Sequence, residues 1–141
     1  MSAENEIREL ITGWTEAVRA RDVDRIMAYY AADVVAYDAI AQLQFRGVEA
    51  YDRHWRACMA MCPGPMLFEV HDPQITAGED VAFAHFLSRC GGQDEKGEVQ
   101  ASWMRGTECY RRVGGKWRIA HEHFSAPFDV ASGKALFDLQ P

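Results

Sequence analysis

The chain has 141 residues, 48% of them hydrophobic, and a formal net charge of −6, with an isoelectric point near 5.3. That is enough for one domain with its own core, and the lack of any basic stripe argues against nucleic acid, whose binders cluster positive charge against phosphates. The polar start MSAENEIREL lacks the apolar centre of a secretory signal, and no apolar run approaches the roughly 20 residues that span a bilayer, so a cytoplasmic protein without a membrane partner is expected.

Taken in chain order, residues 3 to 20 carry Ile7, Leu10, Ile11, Trp14, Ala17 and Val18 at helical spacing, which predicts a long amphipathic first helix. Asp22 can cap a second, short helix through DVDRIMAYYA that stops near Asp33. VVAYDAI and AQLQFRG then read as a hairpin. Gly47 opens a third helix, VEAYDRHWRACMAMC, which Pro63, Gly64 and Pro65 terminate. Four strands follow, near 66–76, 80–90, 98–112 and 116–126. Helices first and a meandering sheet afterwards is an α+β order, not alternating βαβ, and nothing in residues 1–141 reads as a linker or repeat.

In the last strand an unbroken alternation puts Ala120, Glu122 and Phe124 on one face and Trp117, Ile119, His121, His123 and Ser125 on the other. The first face is expected to line a cavity and the second to meet another subunit, unless a bulge exchanges the two. His121 and His123 share a face, as metal ligands do, but Glu122 points away and no third ligand is adjacent, so interface histidines are the expectation and no metal is assigned. Cys58 and Cys62 lie one helical turn apart without a CxxC or a completing Cys/His set, so Cys58, Cys62, Cys90 and Cys109 read as free thiols.

Asp38 follows the apolar run VVAY, where a carboxylate costs free energy unless paired or neutral, which marks it for function or an ion pair. His85 alternates with Phe83 and Leu87 and is expected on their face, turned inward. Trp14, Tyr29, Tyr30, Tyr37, Trp55 and Trp103 make the expected interior aromatic, suited to a ring-bearing or largely apolar ligand.

Three segments, RARDVDRIMAYYAADVVAYD, FRGVEAYDRHW and YRRVGGKWRIAHEHFSAP, resemble the SnoaL-like branch of the ketosteroid isomerase and nuclear transport factor two superfamily, over about residues 5–127. The last segment also resembles the end of the association domain of calcium/calmodulin-dependent kinase. The resemblance implies a cone: a bent, mixed and largely antiparallel sheet wrapped around the long N-terminal helix, with three helices in the first half, an enclosed pocket and pairing through the outer sheet face.

Position by position, the resemblance puts Asp38 where ketosteroid isomerases keep their proton-shuttling aspartate and Trp14 where they keep a tyrosine donor. Their second oxyanion donor, a neutral aspartic acid, corresponds to about Thr107. With the oxyanion pair changed, steroid isomerisation itself is not expected. His54 matches a pocket histidine of the kinase association domain, whose two anion-binding arginines correspond to Thr107 and Phe124; Arg105 is the nearby positive charge.

Two functions follow as expectations. One is a cofactor-free isomerase, cyclase or dehydratase in which Asp38, His54 and His85 handle protons while Trp14, Arg105, Thr107, Glu122 and Phe124 hold a small-molecule ligand, in a homodimer. The other is a ligand-binding or assembly module without turnover.

Overall fold

The computed structural model describes residues 1–141. Helix α1 spans Ala3–Arg19, and Ser2 caps it by accepting a hydrogen bond from the Asn5 amide at 3.2 Å. Glu4 and Glu6 sit in its first turn and Arg19 in its last, each opposite in sign to the adjacent end of the helix dipole. The stripe Ile7, Leu10, Ile11, Trp14, Ala17 and Val18 is buried as its spacing predicts.

Asp22 caps α2, Val23–Met27, through the Arg25 amide at 3.1 Å. That helix is shorter than expected. Strand β1, Tyr30–Tyr37, takes Tyr30 into the sheet opposite Ile119, and the Ile119 amide donates to the Tyr29 carbonyl at 2.8 Å. Sheet pairing therefore ends the helical stretch before Asp33.

The hairpin closes with β2, Phe45–Arg46, which pairs antiparallel with Val35 and Ala36. Gly47, at φ 87°, turns the chain into α3, Val48–Met61. Two terminal carbonyls of α3 are satisfied from a distance: the Arg21 guanidinium donates to Met59 O at 2.7 Å and Cys62 O at 2.8 Å.

The long strands β3 (Met66–Ala77), β4 (Val81–Gln93), β5 (Val99–Val113) and β6 (Lys116–Ser125) complete a six-stranded sheet in the order β2-β1-β6-β5-β4-β3. The β1/β6 pair is parallel and the others are antiparallel, giving a mixed sheet in the α+β class. Helix α1 lies against the inner face in one continuous core that joins Trp14 and Val18 to Phe68, Phe86, Ile119 and Phe124. No helix is long and apolar enough to cross a membrane.

The expected alternation along β6 does not hold. Tyr110 pairs with Ile119 and Cys109 with His121, leaving Ala120 as an extra residue in a bulge. Trp117 and Ile119 before the bulge and Glu122 and Phe124 after it are all buried, whereas His123 is exposed. Trp117 is consequently a core residue, not part of an outward face. Its indole N–H donates to Glu6 at 2.7 Å, and the Arg112 guanidinium lies 4.4 Å from its ring centre. After β6, Phe128 bridges Ala135, and Pro141 reaches the outer sheet face beside His71, His85 and Trp103.

Candidate functional site

The inner sheet face, α1 and α3 line a partly open cavity of about 230 Å³. Trp14, Phe68, Phe124, Met59, Met66 and Met104 supply most of its apolar wall, and Asp38, His54 and Cys58 form its polar edge with Tyr51 and Trp55 nearby. Asp38 stands immediately after β1, where the strand ends and the chain turns toward β2. Its Oδ1 accepts from the Ala39 amide at 2.8 Å, which fixes the carboxylate and leaves Oδ2 to the His54 Nε2. His54 projects from the middle of α3, and Phe45 stacks on its imidazole with ring centres 4.0 Å apart. Only 7% of the His54 side chain and 23% of the Asp38 side chain are exposed, so the pair sits in a site largely withdrawn from solvent.

Cys58, one turn beyond His54, places its sulfur 3.6 Å from Nε2 and 3.9 Å from Nδ1. A relay of the nucleophilic kind needs the acid and the thiol on opposite ring nitrogens. Here both crowd Nε2, so Asp38, His54 and Cys58 do not form such a triad. Burial, and then the Asp38 and Cys62 charges, push the Cys58 thiol above its usual range and keep it protonated.

Behind the cavity wall lies a second polar cluster. Glu122 and Glu108 are directly opposite on β6 and β5, and both are fully buried. The Tyr30 hydroxyl lies 2.9 Å from both Glu122 oxygens, the Tyr51 hydroxyl bonds Oε2, and the Tyr110 hydroxyl donates to Glu108 at 2.8 Å. Burial first, and the neighbouring Glu108 second, hold the Glu122 carboxyl well above the ordinary carboxylate range. Burial also raises Glu108. Two fully buried carboxyl groups placed directly opposite each other cannot both ionise, so the pair shares a proton. Burial likewise raises Tyr51, with the Glu122 charge next.

The inward face takes different residues from those the sequence suggests. Across β3, β4, β5, β6 and β1 one inner row reads Ile75, Ala84, Glu108, Glu122, Ala36, and the outer row beside it reads Gln74, His85, Thr107, His123, Tyr37. His85, Thr107 and Arg105 are exposed on the outer face, away from the cavity. Arg105 Nε donates there to Ser125 at 3.1 Å. The alternation groups them correctly with Phe83 and Leu87, but that whole face is turned outward. Trp14 and Phe124 do line the cavity. The Trp14 N–H is committed to the Tyr30 hydroxyl at 3.0 Å, so Trp14 offers a ring and no donor. Glu122 is on the inner face but is enclosed by tyrosines.

Sequence reasoning gave no site role to Tyr51 or Glu108, named Tyr30 and Trp55 only as interior aromatics, and took Cys58 only as a free thiol. The i, i+4 spacing of His54 and Cys58 on one helix was a usable signal. The tyrosine and glutamate partners come together only through the sheet. Trp55 Nε1 is buried at the cavity wall next to Tyr51 and makes no hydrogen bond.

A cone-shaped sheet wrapped on α1 with an acid and imidazole at the mouth of its cavity defines a class, and residues 7–129 match the model of the SnoaL-like domain. The chain belongs to this family, within the NTF2-like superfamily. It is similar to an NTF2-like protein of unknown function from Pseudomonas putida, with 54% identity, a TM-score of 0.92, and coverage of 99% of this chain and 96% of that one. A ketosteroid isomerase-like protein from Erwinia carotovora atroseptica shares the fold at 16% identity and TM-score 0.72, covering 86% of this chain and 94% of that one. The association domain of CaMKII from C. elegans does so at 16% identity and TM-score 0.71, with coverage of 86% and 93%. No curated protein matches the sequence.

Proposed function

We propose that the protein binds a small, largely apolar organic compound in this cavity and moves a proton on it by general acid and base chemistry, without a cofactor, in the manner of an isomerase, cyclase or dehydratase. The observation that carries the reading is the Asp38–His54 hydrogen bond at the edge of an apolar cavity partly open to solvent. A carboxylate fixed by the Ala39 amide can accept a proton from an acidic carbon of the ligand, and His54 can return one to a neighbouring atom. Trp55 Nε1 is a free donor for a ligand oxygen. At about 230 Å³ the cavity is below the roughly 300 Å³ at which drug-sized pockets begin, which favours a ligand of one or two rings. His85, Arg105 and Thr107 have no part in this reading, because their face is turned away.

Deuterium exchange tests the proposal. Ring-bearing carbonyl compounds selected by native mass spectrometry are incubated with the protein in heavy water, and incorporation is followed by NMR. Wild type is expected to exchange a proton adjacent to the carbonyl, and Asp38→Asn to bind equally well but exchange at least about 100-fold more slowly. Equal exchange by wild type, Asp38→Asn and His54→Gln removes the acid and base roles.

The second reading, a binding or assembly module, is favoured by the outer face, where Phe83 and Leu87 are 46% and 38% exposed on a long pair of strands. Related chains include an association domain, and two copies of this chain meeting through that face form the homodimer proposed here. Four free cysteines suit the reducing cytoplasm, where we place the protein.

A further inference from the structure

We infer that Asp38, His54 and Cys58 form a binding site for a single thiophilic divalent ion, of the zinc or cobalt type, whose open coordination position faces the cavity. The three ligand atoms, a carboxylate oxygen, an imidazole nitrogen and a sulfur, all lie within 4.8 Å of one another. Such a set selects borderline-soft ions and disfavours magnesium and calcium, which take oxygen ligands.

A tetrahedral ion with metal–sulfur and metal–nitrogen bonds of about 2.3 and 2.05 Å holds those two atoms about 3.6 Å apart. The Cys58 Sγ is 3.6 Å from His54 Nε2 but also only 3.9 Å from Nδ1, so it lies over the imidazole and not beside the in-plane Nε2 lone pair, and Cys58 must turn about its Cα–Cβ bond to reach the ion. The helix keeps the thiol within that reach, because His54 and Cys58 are one turn apart on α3. The remaining ligand must separate from Nε2 to make room for the ion. Asp38 can do this: it lies beyond the last residue of β1, and its side chain is more exposed than that of His54. The ion replaces the hydrogen-bonded proton between Asp38 and His54 and displaces the Cys58 thiol proton to solvent as the sulfur binds.

Three protein ligands and one position open to a cavity is the arrangement of a catalytic or regulatory metal centre, not of a closed structural one. Cys62, just past the end of α3, and Cys90 on β4 also line the cavity. They make the pocket attractive to a soft ion without being needed in the set. An ion held here occupies both members of the Asp38–His54 pair, so the metal-loaded and acid–base forms are alternative states of one pocket. The inference uses the same residues as the proposed function but does not rest on turnover, and binding is read without any substrate.

The test is anaerobic titration of the full-length, chelator-treated protein with cobalt(II), followed by absorption spectroscopy and zinc competition. One equivalent per chain is expected, with the intense visible bands of a four-coordinate ion and a near-ultraviolet thiolate-to-cobalt charge-transfer band, all lost on adding zinc. Cys58→Ser should remove the charge-transfer band while leaving the circular dichroism of the fold unchanged, and His54→Ala should weaken binding at least tenfold. Cys109→Ser, on the outer sheet face, should leave the spectrum as it was. No charge-transfer band in the wild type, or a band that survives Cys58→Ser and disappears in Cys62→Ser, overturns the assignment.

Discussion

Replacing Glu122 with glutamine isolates what the buried carboxyl pair does to stability. Glu122 is 0% exposed, faces Glu108 across the strands, and is held above the ordinary carboxylate range by burial and by that neighbour. Its unfolded counterpart ionises near 4.3, so above that value the folded state carries a proton that the unfolded state has released. Stability from this group is then full at low pH and falls as pH rises, by about 1.4 kcal/mol per pH unit for as long as the folded protein retains the proton. Glutamine keeps an acceptor for Tyr51 and Tyr30 but does not titrate. The variant should match wild type to within about 1 kcal/mol at pH 5, the scale of one altered hydrogen bond. It should become progressively the more stable protein toward pH 8. Urea unfolding at several pH values, followed by tryptophan fluorescence, measures this directly, since Trp14 is hydrogen-bonded to Tyr30 within the cluster. The quantity to read is the difference between the two proteins. It cancels the opposite trends of Glu69 and Asp129, whose carboxyls are lowered by hydrogen bonds to His71 and Ser132. Stability curves that stay parallel from pH 5 to pH 8 refute the reasoning.

Other substitutions test separate parts of the structure. Gly91→Ala places a methyl group 1.9 Å from the Gln100 carbonyl on the neighbouring strand, so chemical denaturation should show a loss of about 2–3 kcal/mol, and a neutral result would mean that the β4/β5 pairing is looser than described. Ile119 is fully buried between the bulge and α1, and Ile119→Ala should cost about 2–5 kcal/mol, read as a lower urea midpoint at unchanged slope. Trp117→Glu should unfold the monomer, because the indole is 6% exposed and bonded to Glu6, whereas Phe83→Glu should leave the fold intact and shift the sedimentation profile from dimer to monomer. A Phe83→Glu protein that sediments as wild type does would move the interface off the outer sheet face.

Local elements were legible in the sequence because each rests on short-range chemistry. The stripe from Ile7 to Val18, the Asp22 cap, the Gly47 turn and the prolines after Met61 fix α1, the start of α2 and both ends of α3. The alternation from Val81 to Ser88 also separates two sets of side chains correctly. Which set lies inside is another matter. Phe83, His85 and Leu87 look like the core set, yet Ala82, Ala84, Phe86 and Ser88 are the buried ones, because the inner face must accommodate α1 and the cavity while the outer face has no covering layer within the chain. A period of two carries no information about which side the helix occupies.

The candidate site shows the same division. Asp38 and His54 could be singled out one at a time, the first as an acid beside an apolar run and the second from its match to a pocket histidine of the kinase association domain. Their hydrogen bond depends on where β1 ends relative to the middle of α3. The sequence by itself determined the elements and most of their limits, since caps, turns and periodicity act over a few residues. Tertiary structure alone decided the bulge at Ala120, the face turned to the cavity, and the pairing of Glu108 with Glu122, because these follow from registers between distant strands and from the volume that α1 leaves to be filled.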